Sequence, residues 1–330
     1  MKKLSALLLA FMLLAAACGS DSGSTEASTD NAADATADAT ADETAVEEPA
    51  AAVDEPAAAA DAAASDEAAA PAIPERIVSI SPTATEILFA IGAGDRVVAV
   101  DVYSYFPEEA PVTELDGFSP NVEAIAAYEP DLVVMQGSGD VAAALEAIGV
   151  TVVVQGGPAS LEDVYSQIRE LGEATGNTQE AIDLEEEMST EIDDLLADAP
   201  SADGLSYYHE LDNTLYSITS STFIGEIYAL FGLTNVADPA DSDGSSFGYP
   251  QLSDEFLVDA DPDLIFLADT LCCAQNAEVV AERPGWDQLS AVKNANVIEL
   301  NDDVVSRWGP RLVDFVGWIA DALHGVAAQG

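Results

Sequence analysis

Positive charge is what this chain has least of. Nine lysines and arginines stand against 61 aspartates and glutamates, a formal net charge of −52 at pH 7. Two of the nine, Lys2 and Lys3, sit at the N-terminus. So acidic a chain excludes nucleic acid as a partner and direct adhesion to anionic lipid. Histidine and cysteine are almost as scarce: His209 and His324, Cys18, Cys272 and Cys273. That set is too small for a zinc or manganese centre, so no metal site is expected. No glycine-rich phosphate loop, nucleophile elbow or HExxH occurs, and His209 has no evident catalytic partner. Neither an enzyme nor a resident cofactor is expected. The adjacent pair Cys272–Cys273 leaves two states open in an oxidising compartment: a vicinal disulfide or two free thiols.

The N-terminal quarter lacks the material for a core. Residues 1–17 carry two lysines, an apolar run from Leu4 to Leu14 and small residues before Cys18, the pattern of a secretory signal peptide. Ala15-Ala16-Ala17-Cys18-Gly19 resembles the bacterial lipobox, with alanine where that motif has leucine. The resemblance implies lipidation at Cys18 and an exported protein anchored to the outer face of the cell membrane, on the periplasmic side if an outer membrane is present. Residues 18–74 are Ala, Asp, Glu, Ser, Thr and Pro with almost nothing large and apolar. Such a segment reads as an acidic disordered tether, with an r.m.s. span of roughly 40 Å.

Beyond it, apolar strands alternate with amphipathic helices. Strands are expected at 76–80, 97–100, 131–135 and 151–154, and helices at 81–91, 121–128, 140–148 and 160–175. Strands apolar along their whole length imply a parallel sheet covered on both faces. A less regular second set follows: strands at 205–210, 214–218, 263–267 and 296–300, helices at 221–231, 253–260 and 310–327. Between the sets lies TQEAIDLEEEMSTEIDDLLADA (178–199), whose Ile182, Leu184, Met188, Ile192, Leu195 and Leu196 recur at helical spacing. Asn177 and Glu180 read as a capping box, and Pro200 ends the run. A helix of that length spans roughly 33 Å. The expected organisation is therefore an α/β lobe (75–176), an interlobe helix (177–199) and a second α/β lobe (200–330).

The two lobes share sequence. NVEAIAAYEPDLVVMQ (121–136) and SDEFLVDADPDLIFLA (253–268) align without a gap, setting Glu123 on Glu255, Pro130 on Pro262 and Asp131 on Asp263. TEILFAIG (85–92) likewise matches GEIYALFG (225–232). Diverged copies of one fold explain both matches. Arg307 and Trp308 follow the last strand, where α/β sheets place ligands. The arginine is either a bidentate donor to a ligand or the partner of a nearby acid, and Arg311 reads as structural. Asp269 to Cys273 lies at the end of another strand and could rim such a cleft; no chemistry is assigned to it.

At these blocks the chain resembles a known family, the helix-bridged (class III) substrate-binding lipoproteins of ABC importers for ferric siderophores, haem and cobalamin. RIVSISPTATEILFAIGAGDRVVAVD (76–101), NVEAIAAYEPDLVV (121–134), LEAIGVTVVV (145–154) and SRWGPRLVD (306–314) carry the resemblance. It implies two Rossmann-like α/β lobes joined by one long helix, a ligand cleft between them, and slight closure. It also implies that Tyr103, Gln136 and Tyr249 touch ligand, beside Arg307 and Trp308. At Gln136 and Tyr249 the cobalamin-binding member has tryptophan. Glu123 and Glu255 match the carboxylates, one per lobe, that dock on a permease dimer, and the internal repeat supports that pairing independently. The implied partners are an ABC permease with its ATPase and an iron chelate or corrinoid, with the receptor itself a monomer. A ferric hydroxamate, neutral or cationic when loaded, suits the acidic body best; cobalamin or haem is the alternative, as is a receptor that signals to a sensor.

Overall fold

The structure, a computed structural model, describes residues 72–329 apart from position 138. The signal peptide, Cys18 and nearly all of the tether lie outside the described residues. The first lobe runs β1 (Ile77–Ile80), α1 (Pro82–Ala90), β2 (Val97–Asp101), β3 (Val112–Leu115), α2 (Val122–Ala126), β4 (Leu132–Met135), α3 (Gly139–Ala147), β5 (Thr151–Val154) and α4 (Leu161–Thr175). Its five strands are all parallel, in the order β3-β2-β1-β4-β5. β1 and β4 are buried along their whole length, which is why their sequences are unbroken apolar runs.

One helix, α5 (Thr178–Asp198), then crosses to the second lobe and packs along α4. Its buried stripe is Ala181, Met188 and Ile192, with acids on the remaining faces. The α4–α5 approach depends on Gly172, where a Cβ would lie 2.4 Å from the Ala181 Cβ. The expected capping box does not form. The Asn177 side chain is drawn to the Arg96 guanidinium, which also bonds the carbonyls of Pro74 and Thr175, so the helix start is tied to the first lobe instead.

The second lobe comprises β6 (Ser206–Glu210), α6 (Phe223–Leu230), β7 (Thr234–Asn235), α7 (Asp254–Ala260), β8 (Leu264–Leu267), α8 (Thr270–Cys273), α9 (Ala277–Ala281), α10 (Ser290–Lys293), β9 (Val297–Glu299), α11 (Asp302–Val305) and α12 (Leu312–Ala327). Its sheet is again parallel, in the order β7-β6-β8-β9. α12 packs against α5, so the bridging helix rests on one helix of each lobe. The strand expected at 214–218 is not in this sheet. Asp212 folds the chain back on Thr214, Leu215 takes a left-handed backbone (φ 68°), and only Tyr216 pairs, antiparallel, with Gln251. β3 and the two-residue β7 were not expected, being too short or too polar to show periodicity.

The repeat has a structural cause. α2–β4 and α7–β8 are each N-capped by a polar side chain, Asn121 or Ser253. Each turns through a left-handed acid, Glu129 (φ 50°) or Asp261 (φ 44°), immediately before proline. Asp131 then accepts the amides of Glu75 and Arg76 ahead of β1, and Asp263 accepts the amide of Ser206 at the start of β6. The acid-Pro-Asp motif is the fastener that sets two neighbouring strands in register.

Candidate ligand-binding cleft

In both sheets the chain reverses its direction of winding, between β1 and β4 in one lobe and between β6 and β8 in the other. Such switch points leave a crevice at the carboxyl ends of the strands. A cavity of about 660 Å³ lies at the first of them. Its first-lobe wall comes from Ile80 at the end of β1 and Pro82 after it, Asp101 at the end of β2 and Tyr103 after it, and Gln136 and Gly137 after β4. The second lobe closes it with Asp303 and Ser306 to Trp308, the segment that follows β9.

Four of the expected contacts, Tyr103, Gln136, Arg307 and Trp308, therefore meet in one cavity. Tyr249 is not among the residues that line it. It lies half exposed beside Gly248, which packs against Ser221 and Thr222 at the start of α6. A residue the sequence reading passed over joins instead: Phe118, 82% exposed, sets its ring edge-on to Tyr103 at 5.0 Å. Its only sequence signal is an aromatic among turn residues in Asp116-Gly117-Phe118-Ser119-Pro120. Gly117 is required at that corner, because a Cβ would lie 2.4 Å from the Asp101 carboxylate and 2.6 Å from the Ile80 carbonyl.

Charge in the cleft is committed before any ligand arrives. Arg307, only 8% exposed, donates to Glu86 Oε1 at 3.1 Å, to the Tyr103 carbonyl at 3.1 Å and to Asp303 Oδ1 at 2.9 Å. Of the two readings of Arg307, the structure shows the arginine paired to acids. Arg311 donates to the same Glu86 through Nε at 2.9 Å and Nη2 at 2.5 Å, and its guanidinium lies 4.0 Å from the Phe106 ring centre. Tyr105 donates to Asp303, and Trp308 Nε1 donates to Gln167 Oε1 on α4 at 3.1 Å. Except for Arg307–Asp303, which lies within the second lobe, each of these bonds joins one lobe to the other. Asp101 is buried and receives the Gly117 N–H at 3.1 Å, and desolvation pushes its carboxyl above the usual carboxylate range.

The other arginines among the described residues are equally occupied. Arg76 donates to the carbonyls of Tyr128 and Glu129, Arg169 pairs with Glu162 and Glu185, and Arg283 pairs with buried Glu210. No cationic side chain that lines the cleft is left without an acidic partner.

Glu123 and Glu255 are exposed in the first turns of α2 and α7. Cys272 and Cys273 are joined as a disulfide. No helix among the described residues is long and apolar enough to cross a membrane.

Residues 77–304 match the family model of the periplasmic binding proteins. The chain belongs to this family. It is 31% identical over 262 residues to YvrC, an ABC transporter substrate-binding lipoprotein of Bacillus subtilis, covering 76% of this chain and 80% of that one. It is 31% identical over 263 residues to a cobalamin-binding protein of Halobacterium salinarum, covering 76% and 70%. The periplasmic vitamin B12 binding protein BtuF of Vibrio cholerae superposes with a TM-score of 0.62 at 26% identity, over 78% of this chain and 99% of its own. These relatives are substrate-binding proteins, not enzymes. The chain is accordingly an extracytoplasmic substrate-binding protein of the ABC-transporter type.

Proposed function

We propose that this chain captures a corrinoid of the cobalamin type and hands it to an ABC permease. The observation that carries the reading is the charge state of the cleft. Its one arginine is spent on Glu86 and Asp303, and the rest of the lining is acceptor-rich and aromatic: Asp101, Gln136, Ser306 and the Tyr103–Phe118 pair. A carboxylate-bearing haem or a catecholate chelate would meet acids with no cation to answer them. A neutral macrocycle whose rim carries primary amides finds hydrogen-bond acceptors for its N–H groups and rings for its apolar faces. The names of relatives from Halobacterium and Vibrio support the same choice. A ferric hydroxamate, the ligand favoured by the sequence, is the second reading, supported by the same missing cation.

Delivery is proposed to use Glu123 and Glu255 as one anionic contact per lobe on a two-fold permease, with Cys18 lipidated and 18–74 as the tether. Titration of intrinsic tryptophan fluorescence with cyanocobalamin, a ferric hydroxamate and haem tests the ligand class, since Trp308 lines the cleft. Saturation at micromolar or lower cyanocobalamin alone is the expected result. Saturation by the hydroxamate alone selects the second reading, and tight binding of haem overturns the charge argument.

A further inference from the structure

The segment from Ala268 to Gln275 does not line the cavity, yet it is built like a contact surface. It follows β8, and by the internal repeat its first residues, Ala268 and Asp269, are the second-lobe counterparts of Gln136 and Gly137, which line the cavity. The chain here closes on itself: the amides of Cys273 and Gln275 both reach back to the Asp269 carbonyl. One carboxylate holds the whole turn, Asp302 accepting from the amides of Thr270 at 2.8 Å, Leu271 at 3.0 Å and Cys272 at 2.8 Å. The Thr270 hydroxyl adds a bond to the Leu300 carbonyl at 2.6 Å. The next residue along, Asp303, lines the cavity and bonds Arg307. Held this firmly, the turn exposes apolar groups: Leu271 is 62% exposed and Cys272 is exposed.

We propose that the Cys272–Cys273 disulfide, together with Leu271, is the second lobe's apolar ligand contact at the cleft rim, opposite the Tyr103–Phe118 pair. It rests on the functional reading above. Joined adjacent cysteines present two polarisable sulfurs with no S–H donor, a compact surface that loses little side-chain entropy when covered. That matters because the second lobe's known share of the cavity is polar except for Trp308. Two free thiols would instead carry S–H donors and rotate independently, and they would offer an apolar ligand face a less defined surface.

The test uses the full mature chain and cyanocobalamin, read by tryptophan fluorescence. Three forms are compared: oxidised wild type, wild type reduced with a water-soluble phosphine, and the Cys272→Ser/Cys273→Ser double variant. Reduction consumes one phosphine and one water per disulfide, giving two thiols and the phosphine oxide. Affinity is expected to fall at least fivefold in the reduced and the double-variant protein. Saturating cyanocobalamin should slow the reduction at least fivefold, a readout that needs no variant. If the serine variant does not fold, reduced wild type and the protection rate decide. Equal affinities in all forms, or an affinity change without protection, overturn the contact while leaving the functional reading intact. An oxidised wild type that ignores cyanocobalamin brings down the functional reading and this one with it.

Discussion

Glu86 is the residue whose removal tests the interlobe architecture most directly. It belongs to α1 of the first lobe, is 3% exposed, and accepts from two arginines of the second lobe's final segment. Deleting one partner of a buried ion pair costs about 3–5 kcal/mol, because the remaining charge stays desolvated. Here Arg307 keeps Asp303 and the Tyr103 carbonyl, and Arg311 keeps the Phe106 ring face and the nearby charges of Asp303 and Asp314. The lower end, about 3 kcal/mol, is therefore expected for Glu86→Ala. At this size that corresponds to a drop of roughly 6–12 °C in Tm. Glu86→Gln retains an acceptor and should lose about half as much. The control is Glu226→Ala, the repeat counterpart on α6, whose carboxyl is pushed up by burial and by nearby Asp163. That change should be neutral within about 0.5 kcal/mol or slightly stabilising. Urea unfolding measures all three, and a cycle with Arg311→Met should return a coupling above about 1 kcal/mol. A Glu86→Ala loss no larger than that of Glu226→Ala would refute the idea that this cluster holds the lobes together.

Three further outcomes are expected. Gly172→Ala sets a methyl against Ala181 where α4 and α5 meet, and should cost about 1–3 kcal/mol in urea unfolding; a neutral result would mean that the helices part freely. His209 is fully buried beside the Tyr228 hydroxyl, and desolvation holds its pKa down to about 3 against an unfolded value of 6.5. The unfolded chain thus takes up a proton that the fold refuses, so stability present above pH 6.5 is lost as pH falls towards 3, by about 5 kcal/mol. His209→Gln should flatten this part of the profile, and an unchanged acid midpoint would count against it. Reversing Glu123 and Glu255 together to lysine should abolish uptake with ligand affinity unchanged, whereas normal uptake would remove both from docking.

Much of the fold could be read ahead of the structure because its signals are local. Unbroken apolar strands, the α5 stripe and the acid-Pro-Asp fastener each lie within one stretch of sequence. The cleft was harder to read, since its decisive contacts join distant segments. Nothing near Arg307 in the sequence says that Glu86 neutralises it, and nothing near Trp308 says that Gln167 receives its indole N–H. Phe118 was missed because one exposed aromatic in a turn carries no periodicity. The capping box at Asn177 failed because Arg96, far away in sequence, outbid the helix for that side chain.

The scarcity of cations also bears on how the two lobes are held together. A chain this acidic has few positive charges to distribute, and two of its arginines meet at one buried glutamate between the lobes. α5 fixes how far apart the lobes stand; the Glu86 cluster, Tyr105–Asp303 and Trp308–Gln167 fix their angle at the cleft floor. A ligand that needed Arg307 for itself would have to break this floor, leaving Glu86 with Arg311 alone. Binding an anion would therefore loosen the lobes, whereas a neutral, amide-rich ligand leaves the floor intact and adds contacts above it. On the proposed function, ligand charge and lobe rigidity are linked through one side chain, and cargo that does not compete for Arg307 is the cargo such a receptor would favour.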